Sequence, residues 1–145
     1  MSWAKLLADK AVAPLPSTKQ EIDNLRSIVA RAMRDVLAPG LSVDTRFVMA
    51  YDAARTLSLM IVRAAGYRPR SVGAHYYTFA ALEAVDPAFG ALSAYFDSCR
   101  IKRNISEYEF SGGITDTEAD GLLQTVRKFS IDAEEWIRTH HRPLA

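Results

Sequence analysis

Apolar residues in this chain recur at spacings of three and four in one segment after another, and each segment is bounded by a proline, a glycine or a helix-capping residue. That period gathers side chains on one stripe of a helix, whereas a half-buried strand needs strict alternation, a pattern that competes nowhere along the chain. Ala13-Pro14-Leu15-Pro16 closes a short N-terminal helix that, with its linker, spans residues 1–16. Ser17 and Gln20 then have the spacing of a capping box, and the helix they open carries Ile22, Leu25, Val29, Ala32 and Val36 before Pro39-Gly40 ends it. A central helix from about Ser42 presents Phe47, Ala50, Tyr51, Ala54, Leu57 and Ile61 until Gly66, and a shorter one from about Ser71 to Ala84 has Val72, His75, Phe79 and Leu82 on one face. Asp86-Pro87 is a stop and a restart into a helix running to about Phe110. Thr115 with Glu118 is a second capping box, behind which Ala119, Leu122, Leu123, Val126, Ala133 and Ile137 face inward. The expected fold class is all-α, a single domain over 1–145 built as a mostly antiparallel bundle of about five helices plus the short N-terminal one.

Composition narrows the function classes. With 49% apolar residues in 145, the chain has material for one sizeable core, and disorder is not expected. Its 18 basic and 17 acidic side chains give a formal charge of +1, so any attraction to nucleic acid or anionic lipid must come from a local cluster. The single cysteine, Cys99, excludes an internal disulfide framework and fits a reducing, cytoplasmic compartment. Asp9 and Lys10 interrupt what would be the apolar centre of a signal peptide, and no run approaches the roughly 18 apolar residues of a membrane span. His75, His140, His141 and Cys99 lack the ligand spacings of zinc sites, and Gly112-Gly113 follows a helix instead of opening one after a strand. No metal and no cofactor are expected.

The residue that breaks the pattern is Arg103. Phe89, Leu92, Phe96 and Cys99 set an inward stripe whose next position is this arginine, and removing a guanidinium from water costs several kcal/mol unless it is paired or kept partly wet. Arg103 therefore lines a pocket or subunit seam, or belongs to an ion-pair network with Glu107 or Asp97 that fixes helix register. Asn104 and Tyr108, four apart, share a neighbouring face, and Arg100 lies one turn before them. A second group runs from Arg70 to His75. An imidazole can serve as acid or base near neutrality and an arginine can hold a phosphate, but His75 also fits as a satisfied core or interface residue between Val72 and Phe79. Arg63, Arg68 and Arg70 surround Tyr67, with Tyr76 and Tyr77 nearby, a patch that could follow a nucleic-acid backbone and stack a base, or be a solvated helix end.

Three passages resemble the HEPN superfamily, small all-α domains of prokaryotic defence and toxin systems: Ala50-Tyr51-Asp52-Ala53-Ala54-Arg55, Gly66-Tyr67-Arg68-Pro69-Arg70 leading to His75, and Lys102-Arg103-Asn104 leading to Glu107-Tyr108. The resemblance covers about Asp44 to Ile137 and implies a homodimer with the Arg103 helix at or near the seam. RNA-cleaving members use an arginine followed after four to six residues by a histidine, without metal, the histidine acting on the ribose 2′-hydroxyl and the arginine on the scissile phosphate. Arg103 and Asn104 match the start of that motif, while Tyr108 stands where the histidine would be, and a phenol with a pKa near ten is a poor base at neutral pH. The resemblance thus implies a nucleotide- or RNA-binding protein of a toxin-antitoxin or defence module with weakened or lost nuclease activity. The alternatives are an active metal-independent endoribonuclease and a catalytically silent partner of a minimal nucleotidyltransferase. The catalytic candidates are Arg103, Asn104, Tyr108 and His75, and the substrate-binding candidates are Arg70, Arg68, Arg100 and Tyr76.

Overall fold

The computed structural model describes residues 1–108 and 112–145, except for the side chains of 107 and 108. It is an all-α bundle. After α1 (Trp3–Ala8) come α2 (Lys19–Asp35), α3 (Val43–Ala64), α4 (Ala74–Ala80), α5 (Leu82–Val85), α6 (Gly90–Tyr108) and α7 (Asp116–His140). The expected shorter helix is the α4 and α5 pair, broken at Ala81. It begins at Ala74 and not Ser71, so Val72 lies ahead of the helix and is 76% exposed instead of on its stripe.

Helix starts follow local hydrogen bonding. Thr18, not Ser17, caps α2: its hydroxyl accepts from the Glu21 N–H while the Glu21 carboxylate accepts from the Thr18 N–H. Thr115 and Glu118 make the same reciprocal pair at α7, and the Ser42 hydroxyl accepts from Thr45 at α3. Each such cap satisfies backbone donors that the first helical turn leaves orphaned. Asp86 accepts from the Ala88 N–H at 2.8 Å and opens a 3-10 turn over Pro87–Phe89 that leads into α6.

One small element has no counterpart in the sequence pattern. Two short strands, β1 (Val12–Pro14) and β2 (Tyr67–Pro69), pair antiparallel. Three residues per strand, with a proline in each, carry no readable alternation. Their support is tertiary: Trp3 stacks on Tyr67 at 4.0 Å between centroids, and the buried Arg63 guanidinium donates to the carbonyls of Leu15, Tyr67 and Pro16.

Helix α3 is the hub, touching α2, α4, α6 and α7. Arg63 near its end pairs with Glu21 in the first turn of α2, so those helices are antiparallel. Lys102 near the end of α6 pairs with Glu118 at the start of α7, while Phe89, just before α6, packs on Phe129. Helices α6 and α7 are therefore antiparallel as well. Arg46 at the start of α3 reaches Asp116 and Asp120 at the start of α7, so these two helices run the same way. Tyr51, Phe47, Phe79, Phe96 and Phe129 are fully buried at the centre. Each such side chain contributes about 1.5–3 kcal/mol through burial.

Candidate functional site

Tyr51, Phe79 and Phe96 form an aromatic column, with centroid separations of 5.8 Å and 5.5 Å, that ties α3, α4 and α6 together. Its geometry brings the two sequence groups into one place. At its outer end the Tyr51 hydroxyl shares a hydrogen bond with His75 Nδ1 at 3.0 Å, and the Arg103 guanidinium sits over the Tyr51 ring at 5.7 Å. A cation over the face of an aromatic ring is attracted by the ring quadrupole, which explains how the stripe tolerates a charge. Arg103 Nη1 also donates to Asn104 Oδ1 across a long 3.4 Å.

Two further arginines converge there. Arg55 follows Tyr51 by four residues on α3 and is half-buried; its Nε is shielded from solvent and has no hydrogen-bond partner among the described residues. Arg100 packs over the Tyr76 ring at 5.8 Å and donates from Nε to Asp97 Oδ1 at 2.7 Å.

The electrostatics follow from burial among cations. Burial pushes the Tyr51 phenol up to about 12, against the pull of Arg103, Arg55 and Arg100 and with a smaller push from Asp52. Burial, then Arg55, Arg103 and Arg100, hold His75 below the ordinary imidazole value. At neutral pH the site therefore combines a protonated phenol, a neutral imidazole and a concentration of positive charge. His75 Nδ1 is taken by Tyr51, and Nε2 makes no hydrogen bond among the described residues. The tautomer with its proton on Nδ1 leaves Nε2 as a base; the other leaves it as a donor. Such a site can hold an anionic oxygen group and exchange a proton beside it.

Of the expected residues, Arg103, Asn104, His75, Arg100 and Tyr76 belong to this cluster. The Tyr108 side chain lies outside the described residues. Arg68 and Arg70 are exposed on and just after β2, and among the described residues no hydrogen bond or ion pair joins them to the cluster. Arg63 is corrected: at 6% exposed and bound to three carbonyls and Glu21, it is a structural clamp and not part of a surface patch. Sequence reasoning missed Arg55 and the polar role of Tyr51. A charge at 55, inside the most apolar helix, was the available signal.

A cavity of about 800 Å³ opens between α6 and α7 over Phe89, Leu92 and Trp136. Its Lys128 and Asp132 pair with each other, as do Glu135 and the neighbouring Arg138, and none of the clustered arginines lines it. Among the described residues no three His, Cys, Asp or Glu side chains are grouped to hold a metal, and no helix is long and apolar enough to cross a membrane. No known family pattern, curated protein or solved structure matches the chain.

Proposed function

We propose that this chain is a HEPN-like RNA-binding protein of a toxin-antitoxin or defence module, which holds backbone phosphate with Arg55, Arg100 and Arg103 beside His75. The observation that carries this reading is Arg55. This half-buried guanidinium converges with Arg100 and Arg103 on Tyr51 and His75, and that concentration of positive charge would be offset by an anion. The bulk charge of +1 makes this concentration of cations a local feature and not a general basic surface. Exposed Ile101 and Ile105, four apart on α6, lie on the side of that helix turned away from Arg103, and they support a homodimer through α6 but not one over the arginine cluster itself; light scattering of the purified protein would test it.

Fluorescence anisotropy with a labelled single-stranded RNA tests the binding. Wild type should bind, and Arg55→Ala and Arg103→Ala should each weaken the complex. Absence of binding by the wild type would refute the reading and leave the silent nucleotidyltransferase partner as the alternative.

The placement of His75 favours a second reading, metal-independent endoribonuclease action. With Tyr108 at the motif's histidine position, His75 Nε2 would take the proton from a ribose 2′-hydroxyl, whose oxygen attacks the adjacent phosphorus held by the arginines; the bond from phosphorus to the 5′-oxygen breaks, leaving a 2′,3′-cyclic phosphate, and the departing 5′-oxygen takes a proton from the imidazolium or from water. Cleavage of total RNA by wild type, abolished by His75→Ala and by Arg103→Ala, is the expected result for that enzyme. An inactive wild type excludes it without touching the binding proposal.

A further inference from the structure

Helices α2 and α7 each lie against α3 but scarcely meet one another, and a groove of about 610 Å³ runs between them above the buried Leu57 and Met60. Arg26 closes one end, donating Nε to Glu134 Oε1 at 2.8 Å and Nη2 to Glu134 Oε2 at 3.1 Å. Beyond that pair the groove is open and apolar. Leu37, just past α2, and Ile131, on α7, line it and are 63% and 71% exposed, with the half-buried Met33 between them and the ion pair on the α2 side. Two large aliphatic side chains left this far in water along one groove mark an interaction surface.

The free charges there have one sign. Arg127 lines the groove, and Arg34, four residues after Ala30 and three before Leu37, borders it on α2. Both are exposed, and neither makes a hydrogen bond or ion pair among the described residues. Because α2 and α7 are antiparallel, the two arginines stand at about the same level, roughly 11 Å beyond the Arg26–Glu134 pair. The neighbouring carboxylates are engaged: Asp23 and Glu134 by Arg26, Asp132 by Lys128, while Asp35 falls on the side of α2 opposite Arg26.

We propose that this groove docks an amphipathic helix of a partner protein, whose apolar stripe covers Leu37 and Ile131 and whose flanking Asp or Glu residues meet Arg34 and Arg127. The groove walls are helices whose backbone hydrogen bonds are internal, so they offer no strand edge, and side-chain ridges of a further helix fit between them. A symmetric pairing of this face with a second copy would set like arginines together, whereas acidic flanks complement them. The groove shares no residue with the cluster of Arg55, Arg100 and Arg103, so its occupation is independent of RNA.

The test uses the full chain and a labelled peptide of about 16 residues, long enough to form a helix, with leucines at spacings of three and four and glutamates on both flanks of that stripe. A second peptide carries lysine for every glutamate. In fluorescence anisotropy the glutamate peptide should bind at least about fivefold more tightly than the lysine one, since attraction at two arginines becomes repulsion. Ile131→Asp should weaken the glutamate peptide about tenfold or more, and the double variant Arg34→Glu/Arg127→Glu should reverse the preference. All three side chains are exposed, so these variants should keep the fold, which circular dichroism checks. No binding of the glutamate peptide, equal binding of the two, or a preference unchanged in the double variant would overturn the proposal. So would displacement of the peptide by single-stranded RNA or by oleate, or a homodimer that Ile131→Asp splits, since each gives the groove a different occupant.

Discussion

Replacing Arg63 by methionine separates a structural arginine from a binding one. The Arg63 side chain is 8% exposed, and its Nη atoms donate to Leu15 O at 2.6 Å, Tyr67 O at 2.9 Å, Pro16 O at 3.2 Å and the Glu21 carboxylate at 3.1 Å. Methionine keeps much of the apolar stem but none of the donors, so three carbonyls and a carboxylate lose their partner together. Breaking a buried pair costs about 3–5 kcal/mol, and the half-exposed Glu21, which water can resolvate, argues for the lower end. At about 3 kcal/mol and 2–4 °C per kcal/mol for a chain near this size, Tm should fall by about 6–12 °C. Thermal unfolding followed by far-UV circular dichroism measures this, and hydrogen exchange should show the β1–β2 amides losing protection before the helices do. Arg68→Ala and Arg70→Ala, on exposed side chains, should each leave stability within about 0.5 kcal/mol. A Tm within about 2 °C of wild type for Arg63→Met, or loss of RNA affinity without loss of stability, would refute the clamp and restore Arg63 to the surface patch.

Tyr51→Phe removes one hydroxyl from a fully buried ring and leaves His75 Nδ1 without its partner, so urea unfolding should show a loss of about 1–2 kcal/mol; no change would mean that the bond contributes nothing. Because His75 titrates below its ordinary 6.5 in the folded chain, the unfolded chain takes up that proton first as pH falls. Its contribution to stability is thus complete above pH 6.5 and lost as pH drops through the lower folded value. His75→Gln should flatten that part of the stability profile, and an unchanged slope would contradict the assignment. Cys99 is 5% exposed and its thiol is pushed up by burial, so a thiol reagent at neutral pH should modify it only as fast as the protein unfolds. Rapid labelling of the native state would contradict this packing.

The helices were readable because each buries a stripe whose 3.6-residue period survives in the sequence, and because caps and prolines punctuate it locally. The capping box at α2 was displaced by one residue, since Ser17 and Thr18 both offer hydroxyls and only the geometry selects Thr18 with Glu21. The strands escaped because their pairing depends on Arg63, whose contacts at Leu15 and Glu21 lie 48 and 42 residues away in the chain. The parallel run of α3 and α7 likewise comes from distant ion pairs at Arg46. At the site, Arg103 was legible as a charge on an apolar stripe. Tyr51 was not, because a tyrosine on a core stripe looks like packing until its hydroxyl meets His75. Arg55 carries the same signal as Arg103, a charge among the apolar positions of its helix. That His75 and Arg103 meet is tertiary information, carried by the column of Tyr51, Phe79 and Phe96.

The central claim is that Arg55 and Arg103 contact RNA phosphate, and the salt dependence of binding tests it most directly. For single strands the slope of log affinity against log salt falls by about 0.7 for each phosphate contact removed. Arg55→Ala and Arg103→Ala should each bind single-stranded RNA more weakly and with a slope shallower by about that amount, while Arg68→Ala and Arg70→Ala keep the wild-type slope. A wild type that does not bind, or slopes unchanged in Arg55→Ala and Arg103→Ala, would contradict it.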